Sequence, residues 1–288
     1  MQFLEGSFSD GAYLQNNKKV ILTECLDSKC FLADPKTNSM DLISNKVSGS
    51  DIPNKTLKIS RNEKIALLNN KNNIEAKIMH EKGLLNTKII IDTYKTMGVE
   101  IDDFDVIGSD KCLIITTDGK LAVVKFDITN ETWQQVFELD LNKGVDSRRD
   151  RLNVNSYALS AFDDCLAVST STDYDHGEKL RKIYLFGVSE SGALEQLCVK
   201  DFGEDQPEAS FYSYLNLDYF AHGRPVLLAL QGGDRYNLDA YAFKKDQTLE
   251  LIYSEEGYHE SDFSAVRSFE NMIYSVDFNG NMRVLALP

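Results

Sequence analysis

The chain has 288 residues, 42% of them apolar, with 31 Lys and Arg against 45 Asp and Glu and a formal charge of −14. That composition belongs to a globular protein with a sizeable core, and no apolar run approaches the roughly 18 residues of a membrane span. An acidic field of this size opposes nucleic acid and anionic membrane as partners.

The N-terminal stretch MQFLEGSFSD lacks the basic start and apolar core of a secretory leader. A cytoplasmic or nuclear location, and not secretion, is therefore expected. The five cysteines are an odd number, and Cys112 (KCLIITT) and Cys165 (DCLAVST) sit in the same apolar context. They read as buried, reduced thiols. Cys25 and Cys30 bracket LDSK, but no matching Cys/His pair follows, so no zinc site is expected.

One pattern recurs along the chain: a polar turn, about five apolar or β-branched residues, a second turn, and an alternating strand. The copies are NNKKVILTECLDSKCFLADP from Asn16, RNEKIALLNNKNNIEAKIM from Arg61 and GSDKCLIITTDGKLAVVKFDI from Gly108. They continue with AFDDCLAVSTSTDYDHGEKLRKIYLFGV from Ala161, AHGRPVLLALQGGDRYNLDAYAF from Ala221 and SFENMIYSVDFNGNMRVLAL from Ser268. Asp118-Gly119 and Asn279-Gly280 supply the residues of tight type I′ hairpin turns. The runs VILTE, IALL, CLIIT, CLAVS, VLLAL and MIYSV are too short for helices and suit strands covered on both faces. The returning strands alternate more and are expected nearer solvent. NIEAKIMHEKGLL is the best helix candidate, but it falls where the repeat demands a strand pair.

Further strands flank the hairpins: FDVI and TWQQVFELDL around the copy at Gly108, VNSYAL and LEQLCVKDF around Ala161, and SYLNLDYF and TLELIYSEE around Ala221. Four strands per unit, at spacings of roughly 45 to 60 residues, describe a propeller blade. The sixth unit offers only DFSAVRSF, MIYSVDF and MRVLAL. Pairing residues 2–8 beside 282–287 would close the ring and cover both open edges. The expectation is an all-β chain, residues 1–288, forming a single closed β-propeller. Six blades are preferred, with seven units of about 41 residues as the alternative.

This architecture resembles the WD-repeat class of propellers, at the level of pattern. The defining motifs are mostly missing. No Gly-His precedes each blade, and the only tryptophan, Trp133, is followed by Gln134. Kelch repeats need a double glycine in each blade, and only Gly232-Gly233 occurs. The sialidase signature is absent.

No catalytic constellation emerges from sequence neighbours. In STDYDHGEK, Asp173, Asp175, His176 and Glu178 alternate oxygen donors, but the spacing departs from a calcium loop, and a polar hairpin loop explains them. His80, His176, His222 and His259 lie in different units without partners at ligand spacing. GVSESG is not a nucleophile elbow, and no phosphate-binding loop or dinucleotide fingerprint occurs. No cofactor or metal is therefore expected. Some six-bladed propellers are metal-dependent lactonases or esterases whose ligands come one per blade, an arrangement that leaves no local motif.

A basic spot stands out against the acidic surface. DSRRDRLN places Arg148, Arg149 and Arg151 in the connection entering the fourth unit, and that unit's hairpin carries Tyr174, Lys179, Arg181 and Lys182. In a propeller these two loops open on one face. Either their charges pair with Asp146, Asp150 and Glu178 in solvated loops, or they form a docking site for an acidic or phosphorylated segment. Residues 201–210 and 253–262 form an acidic, Tyr-bearing arc that would suit a basic partner. The expected function is a non-catalytic protein-interaction platform, a subunit of a larger intracellular assembly. The alternative is a metal-dependent propeller hydrolase with its site at the channel mouth.

Overall fold

In the computed structural model the described residues are 8–14, 19–24, 30–34, 36–37, 39–44, 57–60, 64–70, 73–80, 83–84, 89–127, 129–141, 152–174, 179–202, 212–220, 224–231, 237–244, 248–260, 263–269, 272–277 and 281–286. They form antiparallel sheets that follow one another along the chain. The first sheet is β1 (Phe8–Leu14), β2 (Lys19–Glu24), β3 (Cys30–Asp34) and β4 (Ser39–Ser44). The second is β5 (Leu57–Ile59), β6 (Ile65–Asn70) and β7 (Asn73–His80), with β8 (Gly83–Leu84) and β9 (Ile89–Asp92) both pairing β7. A single helical turn, α1 (Thr93–Met97), leads to β10 (Ile101–Ile107), β11 (Lys111–Thr116), β12 (Lys120–Asp127) and β13 (Thr132–Asp140). The fourth sheet is β14 (Leu152–Phe162), β15 (Cys165–Tyr174), β16 (Lys179–Val188) and β17 (Leu194–Asp201). The fifth is β18 (Tyr212–Phe220), β19 (Arg224–Gln231), β20 (Leu238–Phe243) and β21 (Leu249–Glu255). The sixth, β22 (Phe263–Phe269), β23 (Met272–Asp277) and β24 (Met282–Ala286), has three strands among the described residues. No described helix is long and apolar enough to cross a membrane.

The repeat read from the sequence thus appears as sheets with the expected hairpins, and residues 73–80 are strand, not helix. The first strands adjoin in chain order: β1 lies against β5, β5 against β10, β10 against β14, β14 against β18, β18 against β22, and β22 against β1. The proposed strand over residues 2–8 needs correction at its end. Phe8 begins β1 and pairs with Glu24, so it belongs to the first strand of the first sheet and not beside β24. Residues 1–7 lie outside the described residues.

The apolar runs explain how the sheets stack. Successive side chains of a strand point to opposite faces, and each face of a second strand enters a different core layer. Cys112 and Ile114 pack with Ile65, Leu67, Ile74 and Ile91 of the second sheet. Leu113 and Ile115, from the same strand, pack with Leu159, Leu166, Val168 and Phe186 of the fourth. The alternation repeats at β19, where Leu227 and Ala229 face the fourth sheet and Leu228 and Leu230 face the sixth. Cys112 and Cys198 are buried thiols, and Cys165 is half-buried. Third strands differ: Leu121, Ala122, Val123 and Val124 of β12 are all inaccessible, contrary to the expectation that returning strands lie nearer solvent, whereas β24 is exposed as expected.

The Asp118-Gly119 turn is not type I′. The Gly119 N–H donates to Thr116 O at 2.9 Å, and Gly119 alone in the turn has positive φ, 83°. This is a type I turn closed by a left-handed glycine. Ser189–Gly192 repeats the form, with Gly192 N–H on Ser189 O at 2.9 Å and φ 91°. A Cβ on Gly192 would meet Val136 Cγ2 at 2.6 Å, so this glycine also lets the fourth sheet approach the third.

First strands present an unpaired backbone edge. Between the third and fourth sheets, two aspartates of β10 satisfy it. Asp103 accepts the Phe104 N–H and, across the gap, the Leu159 N–H of β14, both at 2.8 Å. Asp105 does the same for Val106 and Ala161, again at 2.8 Å. Asp103 is buried, so its loss strands two buried donors. Asp103→Ala should cost about 2–5 kcal/mol in urea or thermal unfolding. Asp103→Asn, which keeps one acceptor oxygen, should recover roughly half; equal losses in the two variants would refute the bridging role.

Candidate functional site

The fourth sheet is the longest. β15 and β16 each have 10 residues against 6 in β11 and 8 in β12. Four additional residues in β15 carry its hairpin about 13 Å further than that of the third sheet. The tip pairs Asp173 with Lys179, and Arg181 stands opposite Ser171. Leu152, the first residue of β14, pairs with Tyr174. β14 therefore begins at the far end of β15, opposite its last residue.

Of the basic residues singled out, Arg148, Arg149 and Arg151 lie outside the described residues. Tyr174, Lys179 and Arg181 are placed at this end of the sheet through their backbone pairing. Lys182 is engaged: its Nζ lies 3.1 Å from Asp201 Oδ2 on β17. The candidate calcium loop falls largely outside the described residues. Among the described residues no three His, Cys, Asp or Glu side chains converge as metal ligands.

In the acidic arc at 253–262, Glu255 is engaged within the protein. Arg283 of β24 donates to Tyr258 O, meets Glu255 Oε1 at 2.9 Å, and stacks on the Tyr258 ring at 4.2 Å. The Tyr253 hydroxyl donates to the other oxygen of Glu255. The Tyr253 and Arg283 hydrogen bonds hold Glu255 below the usual carboxylate range. Burial, with Glu255 as acceptor, pushes the Tyr253 phenol up to about 12. Glu256 and Glu260 remain exposed, while most of the arc at 201–210 lies outside the described residues.

One arrangement escaped sequence reasoning. His259 Nε2 lies 2.8 Å from Ser275 Oγ and its Nδ1 3.4 Å from Asp277 Oδ2. Asp277 accepts only, so Nδ1 carries the proton and Nε2 accepts from the serine. Asp277 also receives the Asn281 N–H at 2.8 Å and the Asn281 amide at 3.0 Å, which fixes the end of the last hairpin. The order of groups is that of a Ser-His-Asp triad. Ser275 is 0% exposed, His259 4% and Asp277 2%, so the hydroxyl is closed off from solvent. The trio is a latch that fastens the connection after β21 to β23. The signal was the Gly257-Tyr258-His259 segment ahead of a strand carrying Ser275-Val276-Asp277, recognisable only once connection and strand are known to meet.

Burial, with Arg283 nearby, outweighs Asp277 and lowers the His259 pKa from its ordinary 6.5. The unfolded chain then takes up the proton at a higher pH than the folded one. The latch contributes fully above about 6.5 and loses stabilisation as pH falls from there toward the lowered folded value. His259→Gln should melt lower than wild type at about pH 7.5, with the gap narrowing at about pH 5.5. A gap independent of pH would show that His259 titrates alike in both states.

No family model matches the sequence, and no curated protein matches it. Solved structures do resemble the fold. Kuenenia stuttgartiensis hydrazine synthase aligns at TM-score 0.62 and 5% identity, covering 98% of this chain and 77% of that one. A candidate 6-phosphogluconolactonase of Bacteroides uniformis gives 0.59 and 12%, covering 96% and 80%. The Cps50 (Swd1) β-propeller domain of Myceliophteria thermophila gives 0.51 and 10%, covering 99% of both chains. Likenesses at such identities carry the fold alone: an all-β architecture of the β-propeller kind.

Proposed function

We propose that the chain is a six-bladed propeller that acts as a non-catalytic platform for other proteins inside the cell. The cyclic order of first strands, from β1 through β22 and back, supports the blade number. The observation that carries the function is the extended fourth sheet, whose hairpin stands about 13 Å beyond that of its neighbour. In this reading the docking residues are Tyr174, Lys179 and Arg181 at the strand ends together with Arg148, Arg149 and Arg151, which precede β14 in the sequence. Guanidinium groups there suit an acidic or phosphorylated segment, which they grip bidentately. Lys182 belongs to the same group and is ion-paired with Asp201. Charge reversal at Arg148, Arg149 and Arg181 together should abolish partner recovery in pull-downs from the native cell while leaving Tm unchanged. Full recovery by the folded variant would remove the site.

The lactonase-like neighbour supports a second reading, a channel-mouth hydrolase holding a divalent ion. Metal analysis of the purified protein separates the two: the platform predicts no stoichiometric, chelator-sensitive ion, and finding one would favour the hydrolase.

A further inference from the structure

The third strand of a sheet is elsewhere protected. β12 and β20 each bury four consecutive residues, Leu121–Val124 and Leu238–Tyr241. β24 is built from the same apolar residue types but has no buried residue. Met282 is 66% exposed and Val284 46%. Arg283 and Leu285, on the opposite face, turn toward the fifth sheet, where Arg283 stacks on Tyr258 and Leu285 packs beside Leu228 and Ile273. Among the described residues β24 pairs only with β23, so its outer row of N–H and C=O groups is a template for one more strand. Arg283 also ties to β24 the loop that carries two exposed carboxylates, Glu256 and Glu260.

We infer that the outer edge of β24 receives an extended segment of a partner protein as the fourth strand of the sixth sheet. Backbone pairing supplies the affinity, as in other strand-addition interfaces. Alternate β-branched or apolar side chains of the incoming strand cover Met282 and Val284, and a lysine or arginine at its end meets Glu256 and Glu260. The formal charge of −14 selects a basic segment and opposes a second copy of the same chain. This surface rests on the platform reading but lies apart from the fourth-sheet tip.

The test uses the full chain and a synthetic peptide, Lys-Val-Thr-Val-Thr-Val-Lys, followed by amide hydrogen exchange at residues 282–286. The expected result is saturable protection of that stretch, about tenfold or more in exchange rate. The protection should weaken with an Asp-ended version of the peptide and disappear in a Met282→Lys, Val284→Lys variant whose Tm is unchanged. Absence of protection at millimolar peptide would overturn the inference. So would exchange at 282–286 already as slow as in β23 without peptide, which would indicate an internal cover. Protection that grows with protein concentration alone, together with a dimer in sedimentation, would assign the edge to a second copy and overturn it too. Charge reversal at the fourth-sheet tip does not touch β24, so failure of that site and failure of this one are read separately.

Discussion

A strand that is apolar on both faces cannot be satisfied by its own sheet. β11, β15 and β19 each send alternate side chains into two separate core layers, so each of their sheets needs a neighbour on either side. Burying one such Leu or Ile is worth roughly 2 kcal/mol, and most of that burial occurs between sheets. An isolated four-stranded unit would expose one layer or both. The same dependence explains contacts that reach across sheets, such as the Trp133 indole N–H on Ile90 O at 3.0 Å and Gly192 fitted against Val123 and Val136.

Stacking creates a second requirement at the first strands, whose inward backbone groups have no fifth strand to pair with. Asp103 and Asp105 satisfy both their own strand and β14. A carboxylate suits the task because its two oxygens accept from two donors at once. By hairpin register, Asp105 (opposite Leu113), Ser160 (opposite Ala167) and Asp218 (opposite Val226) occupy the same position in successive sheets. Lys58 and Arg267, opposite Leu67 and Tyr274, occupy it in the second and sixth. A polar residue two places before the turn therefore recurs in five of the sheets, while the first has Ala12 there, opposite Ile21.

These two requirements divide what the sequence discloses. Hairpins and twice-covered strands are local, written in runs such as CLIIT and in Asp-Gly turns, and they were legible. The strand choice at 73–80 followed from repeat phase where helical propensity pointed elsewhere, since tertiary position overrides a weak local preference. β1 was missed because FSDGAYL carries Gly11 and Asp10 amid its apolar residues, and α1 because one turn has no period to detect. Its N-cap, Asp92, which accepts the Lys95 N–H at 2.8 Å, was the visible sign. The aspartate bridges and the His259 latch join residues 56 and 16 positions apart. Such pairings become readable only when the order of sheets is known. The basic tip was reasoned from topology, and its arginines at 148, 149 and 151 lie outside the described residues.

The latch and the two proposed docking surfaces express one division of labour. Ser275, His259 and Asp277 carry the groups of a hydrolytic triad but lie buried, where their hydrogen bonds join the connection after β21 to β23. Among the described residues, these buried polar side chains spend their hydrogen bonds on joining one segment to another. The two proposed docking surfaces use the ends of the long fourth-sheet strands and the outer edge of β24, which pairs only with β23 among the described residues. The fourth sheet is lengthened at the first and the sixth leaves β24 exposed at the second. A partner that used both would meet charge at one and backbone at the other, so neither contact alone would need to be strong for the pair to be selective.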